Sequence, residues 1–126
     1  MVQVVKGCGV DIIEIYRIAQ ALEKDRFKDK IFTKHEQKIL QGKAAQSWAA
    51  RFAAKEAVMK ALGSGWQRGV SFKQIEIGKD QWAKPIVQLF DRAQEIANER
   101  GINEIHLSLS HNRTTAIAYA IAVGEE

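Results

Sequence analysis

Residues 48–62, Trp48-Ala-Ala-Arg-Phe-Ala-Ala-Lys-Glu-Ala-Val-Met-Lys-Ala-Leu62, decide how this 126-residue chain folds. Placed on a helix, their apolar side chains do not make one stripe. Ala50, Ala54, Ala57 and Ala61 lie on one side, and Trp48, Phe52 and Met59 on the other. A helix that is apolar all round is a buried helix. The same fifteen residues nevertheless carry Arg51, Lys55, Glu56 and Lys60. Charge in such a setting is costly unless it is paired or holds a ligand, so function is expected here.

Working outward, this helix starts near Ala44–Ser47 and stops at Gly63-Ser-Gly65, a glycine terminator. Upstream, Thr33-Lys-His-Glu36 is a capping box that opens a short helix ending near Gly42, with Phe32 leading in. Before it lies a mixed-charge connector from Lys24 to Lys30. Val2 to Val10 reads as a strand containing Gly7 and Gly9, with Asp11 at its end. A helical pattern then runs from Ile12 to about Lys24, carried by Ile15, Ile18 and Leu22. Downstream, Phe72–Ile77 and Pro85–Leu89 read as strands, Phe90–Arg100 as an amphipathic helix, and Glu104–Ser110 and Thr115–Val123 as a final hairpin. The last strand has Ala116, Ala118, Ala120 and Ala122 on one face. Two alanine surfaces invite close approach, so the long helix is expected to pack on that strand. Separated helices and a late hairpin give an α+β chain: a mostly antiparallel sheet against a long central helix, in a single domain over 1–126.

Composition narrows the function. One cysteine, Cys8, excludes an internal disulfide and a cysteine-based zinc cluster. No segment reads as a signal peptide or a membrane span, which points to a cytoplasmic protein with no membrane partner. A net charge of +4 suits an acidic or phosphorylated partner. Aromatic residues are not interleaved with the basic ones, which argues against a nucleic-acid platform.

Asp11 and Glu56 come from separate elements, with Lys60 four residues beyond Glu56. Two such carboxylates suit Mg²⁺, which takes oxygen ligands and leaves positions for substrate phosphate. A lysine nearby can neutralise a phosphoryl or leaving group. On spacing alone, Glu56 and Lys60 also fit an ordinary i, i+4 helix pair. His111, where the chain turns, could meet a phosphate or simply face solvent. Backbone amides near Gly63–Gly65 could meet a phosphate or only end the helix. The glycines follow a helix, so a Walker loop is excluded.

Four motifs in order carry a resemblance: Gly7-Cys-Gly-Val-Asp-Ile-Ile-Glu-Ile-Tyr-Arg-Ile18, Phe32-Thr-Lys-His-Glu36, Arg51-Phe-Ala-Ala-Lys-Glu-Ala-Val-Met-Lys-Ala-Leu-Gly-Ser-Gly65 and Leu107-Ser-Leu-Ser-His111. The chain, from about Val4 to Val123, resembles the holo-acyl-carrier-protein synthases, short bacterial phosphopantetheinyl transferases. The resemblance implies the 4′-phosphopantetheinyl transferase fold. It also implies transfer of 4′-phosphopantetheine from coenzyme A to a serine of apo acyl carrier protein, as in fatty acid biosynthesis, releasing adenosine 3′,5′-bisphosphate. It implies Mg²⁺ on Asp11 and Glu56, with Lys60 assisting transfer. Arg51, Gly63, Ser64, Gly65, Pro85 and His111 are implied around the coenzyme, Arg17 and Arg26 toward the acidic carrier, and a homotrimer with active sites between subunits. Ala83 stands where this family usually has glycine, a place where a Cβ restricts the backbone. A Mg²⁺-dependent pyrophosphate or phosphoester hydrolase using the same two acids is the competing enzyme reading. A basic, non-catalytic binding module is the competing non-enzyme reading.

Overall fold

The computed structural model describes residues 2–63 and 68–126. Strand β1 (Gln3–Glu14) leads into helix α1 (Ile15–Ala21), and the short helices α2 (Phe27–Ile31) and α3 (Lys34–Leu40) follow. The long helix α4 (Ala45–Leu62) precedes the hairpin β2 (Ile75–Lys79) and β3 (Pro85–Leu89). Helix α5 (Asp91–Glu99), β4 (Glu104–His111) and β5 (Thr115–Glu125) complete the chain. All strand pairings are antiparallel: β1, β5 and β4 form one sheet in that order, and β2 and β3 form a second. The α+β architecture is the expected one.

Helix α4 lies against the three-stranded sheet. Ala116, Ala118, Ala120 and Ala122 of β5 are buried, as are Ala50, Ala53, Ala54, Ala57 and Ala61 of α4. On β1 the face toward α4 has no side chains at Gly7 and Gly9. A Cβ at either would stand 2.2 Å from a helix carbonyl, that of Ala61 or Ala57. The glycines thus let backbone meet backbone. On the far side of α4, Phe27, Phe32, Trp48, Phe52 and Phe72 stack or meet edge to face at 5.1–6.4 Å between ring centres. Burial on both sides explains why α4 shows no apolar stripe.

The capping box is present: Glu36 N–H donates to Thr33 Oγ1 at 3.1 Å, and Thr33 N–H donates to Glu36 Oε1 at 2.9 Å. Gly63 ends α4 with φ +69°. Three boundaries differ from the sequence reading. Strand β1 does not stop at Val10 but runs to Glu14, because Val10 to Glu14 pair with Tyr119 to Thr115 of β5. Asp11 is therefore inside a strand, and the helix begins only at Ile15. The supposed connector contains α2, entered through Arg26 at φ +71°. Phe72–Gln74 forms a 3₁₀ turn, so β2 starts at Ile75. Among the described residues, no helix is long and apolar enough to cross a membrane.

Candidate active site

Alternation along β1 sends Asp11 to the same face as Gly7 and Gly9, the face that α4 covers. The glycine contacts fix which helix residues lie opposite. Gly9 abuts Ala57, Lys60 and Ala61, so the helix brings Lys60 and Glu56 to Asp11. Lys60 Nζ donates to the Val10 carbonyl at 2.8 Å and stands 3.5 Å from Asp11 Oδ1. The Asp11 side chain is 19% exposed and that of Lys60 54%, so the pair sits at the rim between strand and helix.

The electrostatics are those of two acids held together. Burial pushes the Asp11 carboxyl above its ordinary range, and the Lys60 ammonium opposes this. Burial raises Glu56 too, the Asp11 charge raises it further, and Lys60 pulls it back. Two half-buried carboxylates that repel each other are short of one positive charge. Their oxygen donors match what Mg²⁺ takes. Among the described residues, no group of three or more His, Cys, Asp or Glu clusters in this way.

One helical turn before Lys55, Arg51 is half-buried, and its Nε is shielded from solvent with no hydrogen-bond partner among the described residues. Burial lowers its proton affinity, and the Glu36 charge partly compensates. A desolvated guanidinium N–H without an acceptor is suited to a phosphate oxygen.

The other sequence-predicted residues are spread around this centre. Gly63 caps α4, and its carbonyl accepts from Arg68 Nη1 at 3.1 Å. Ser64 and Gly65 lie outside the described residues. Pro85 opens β3, opposite Lys79. His111 ends β4, exposed, with Nδ1 3.3 Å from the Asn112 carbonyl. Strand β5 separates it from Asp11, and no hydrogen bond among the described residues joins it to the carboxylates. Arg17 is exposed and donates to Glu14 at 2.9 Å. Arg26 lines an open hollow of about 740 Å³ with Lys24, Phe27 and Lys30.

Sequence reasoning missed one feature. Lys55, fully buried, lies 2.7 Å from Glu36, which is fully buried as well. The capping box hid the second role of Glu36. The only signal in the sequence was a lysine on an otherwise apolar arc between Trp48 and Met59.

This arrangement of a small antiparallel sheet, an alanine-lined helix and two acids facing each other across them belongs to a known class. A family model of the 4′-phosphopantetheinyl transferase superfamily matches residues 7–121, and the chain belongs to that family of enzymes. Its relatives are more particular. The holo-[acyl-carrier-protein] synthase of Alkaliphilus metalliredigens is 50% identical, over 94% of this chain and 98% of its own length. The holo-ACP-synthase of Plasmodium yoelii superposes with a TM-score of 0.88 at 33% identity, covering all of both chains. That of Bacillus anthracis, solved in complex with CoA (3′,5′-ADP), superposes with a TM-score of 0.79 at 34% identity, over 96% of this chain and 98% of that one.

Proposed function

We propose that this chain is a single-domain, cytoplasmic phosphopantetheinyl transferase. It moves 4′-phosphopantetheine from coenzyme A to a serine of apo acyl carrier protein and releases adenosine 3′,5′-bisphosphate. The observation that carries this is the convergence of Asp11, Glu56 and Lys60 at the rim between β1 and α4. Coenzyme A carries a pyrophosphate, and the Bacillus anthracis relative was solved in complex with CoA (3′,5′-ADP).

Asp11 and Glu56 would hold Mg²⁺, which when bound neutralises charge on the pyrophosphate oxygens. The remaining work falls to side chains of this protein. Serine Oγ forms a bond to the phosphorus that bears the pantetheine, and the bridging P–O bond to the nucleotide breaks. Glu56 receives the serine proton, directly or through a water; its raised proton affinity suits that task. The Lys60 ammonium, steadied by the Val10 carbonyl, meets the charge that develops on the departing bisphosphate. Arg51 Nε, Gly63, Ser64, Gly65, Pro85 and His111 form the coenzyme's surroundings. Arg17 and Arg26 present positive charge to the acidic carrier.

The outer face of the three-stranded sheet supports a homotrimer. Val10 (49% exposed) lies beside Tyr119 (45%), and Ile12 (66%) beside Ile117 (39%), an apolar surface on the side of the sheet away from α4. Covering it with neighbouring copies would bring a second subunit toward each site. Sedimentation of a monomer at micromolar concentration would rule that out.

The test of the activity is mass spectrometry of apo acyl carrier protein after incubation with coenzyme A and Mg²⁺. The expected result is one phosphopantetheine adduct on a serine. Bisphosphate release from coenzyme A without carrier, and without adduct, would instead identify a hydrolase.

A further inference from the structure

The buried pair of Glu36 and Lys55 makes five short contacts, one within the pair and four to backbone groups. Lys55 Nζ lies 2.7 Å from Glu36 Oε1, donates to the Phe72 carbonyl at 2.9 Å and donates also to the Ile75 carbonyl. Glu36 accepts from Thr33 N–H at 2.9 Å through Oε1 and from Ile77 N–H at 2.7 Å through Oε2. Neither side chain has any exposure. One pair thus ties α3, α4 and the backbone leading into β2 to a single point.

Helix α4 has an unusual need for such a tie. A helix with one apolar stripe is held in rotation by that stripe, since turning it exposes apolar surface. Helix α4 is apolar on nearly every side, so its rotation is held by shape, the glycine contacts with β1 and the aromatic rings opposite, rather than by a stripe. A fully satisfied buried polar contact has one geometry only and can set such a register, as a single buried polar residue does in coiled coils. Successive helix residues lie about 100° apart, so Lys55 pinned toward β2 leaves Glu56 about a quarter turn round, on the Asp11 side.

We infer that Glu36 and Lys55 are positioning residues of the active site, setting the rotation of α4 and hence the placement of Glu56 against Asp11. The lever is steep. A carboxylate about 6 Å from the helix axis moves ~0.5 Å for each ~5° of rotation, already the tolerance of a preorganised site. Glu36 and Lys55 touch no reacting group; they act through Glu56. The inference rests on the proposed role of Glu56.

The test compares the wild-type protein with the double variant Glu36→Leu/Lys55→Met, which replaces the pair by apolar groups without leaving a lone buried charge, an exchange that is often tolerated. Two readouts are taken. The first is Mn²⁺ affinity by electron paramagnetic resonance with coenzyme A present and no carrier. The second is kcat and KM for transfer to carrier. A folded double variant with Mn²⁺ binding weakened about tenfold, kcat lowered ~10–100-fold and KM for carrier within about twofold of wild type supports positioning. A folded double variant whose Mn²⁺ affinity and kcat both stay within about twofold overturns it. If the double variant does not fold, Glu36→Gln, isosteric and able to keep one acceptor, is judged by the same two readouts. Failure of the wild type itself to modify the carrier would count against the proposed activity. The Mn²⁺ comparison would still decide the positioning role.

Discussion

Replacing Gly9 by alanine adds one methyl group at the point where strand and helix backbones meet. Its Cβ would lie 2.2 Å from the Ala57 carbonyl oxygen, 2.6 Å from Lys60 Cβ and 2.8 Å from the Ala61 nitrogen. Ordinary contact begins near 3.4 Å, so the shortfall is roughly 1 Å, and two of the three neighbours are backbone atoms that no rotamer change can move. Helix α4 must back away from β1. Overpacking of this kind costs ~1–3 kcal/mol, which lowers the melting temperature of a domain this size by about 4–12 °C. The same retreat carries Lys60 and Glu56 away from Asp11 by ~1 Å, enough to cost up to about 100-fold in turnover. The Lys60–Asp11 separation is already 3.5 Å. Thermal unfolding followed by circular dichroism, with kcat on apo carrier, measures both effects. Gly42→Ala is the control. Nothing lies within 4 Å of its Cβ, but its φ of +77° makes alanine strained, so it should lose ~1 kcal/mol and no activity. A Gly9→Ala protein that melts and turns over like the wild type would refute the close approach of β1 to α4.

Other substitutions probe the site and its surroundings. Glu56→Gln and Asp11→Asn should abolish turnover yet raise the melting temperature at pH 7, because both carboxyls bind protons more tightly folded than unfolded. That gain should fade as the pH drops below the ordinary values, 4.5 for Glu56 and 3.8 for Asp11, where the wild-type groups are protonated in both states and the penalty is gone. A variant less stable than wild type at pH 7 would contradict the burial penalty argued for this pair. For the wild type, activity should fall on the acid side at a pH above 4.5, since Glu56 must be ionised to accept a proton. Ala83 adopts φ +64° in the β2–β3 turn, so Ala83→Gly should relieve ~1–2 kcal/mol of strain, partly offset by ~0.5–1 kcal/mol of unfolded-state entropy. The net is a small rise in melting temperature, and a fall would show that the turn is not strained there. Ala118→Leu, at a position 1% exposed beneath α4, should destabilise by ~1–3 kcal/mol in urea unfolding. No change in the midpoint would show that the strand face and the helix are not in close contact.

Features written in neighbouring residues could be read directly. The Thr33–Glu36 box, the Gly63 cap and the alanine face of β5 each rest on side chains a few positions apart, and all are present. The misread boundaries depended on distant partners. Ile12 and Ile13 fit a helical period, but the pairing of Ile12 with Ile117 and Ile13 with Ala116 draws them into a strand. Ala83 is a middle case: the resemblance marked it as a place where the family usually has glycine, and its φ is +64°, in the region that favours glycine.

By itself, the sequence determined that one helix would be buried on every side and that it carried more charge than burial tolerates. It also named Asp11, Glu56 and Lys60 as the residues to watch. Tertiary structure alone decided what each charge does. Lys55 turns inward to Glu36, nineteen positions earlier, while Lys60 turns to the rim beside Asp11, forty-nine positions earlier. Both are lysines on the same helix. Nothing local distinguishes them, because the difference lies in which strand or helix each one faces, and that is set by the glycine gap in β1 and the packing of α3 against the other side.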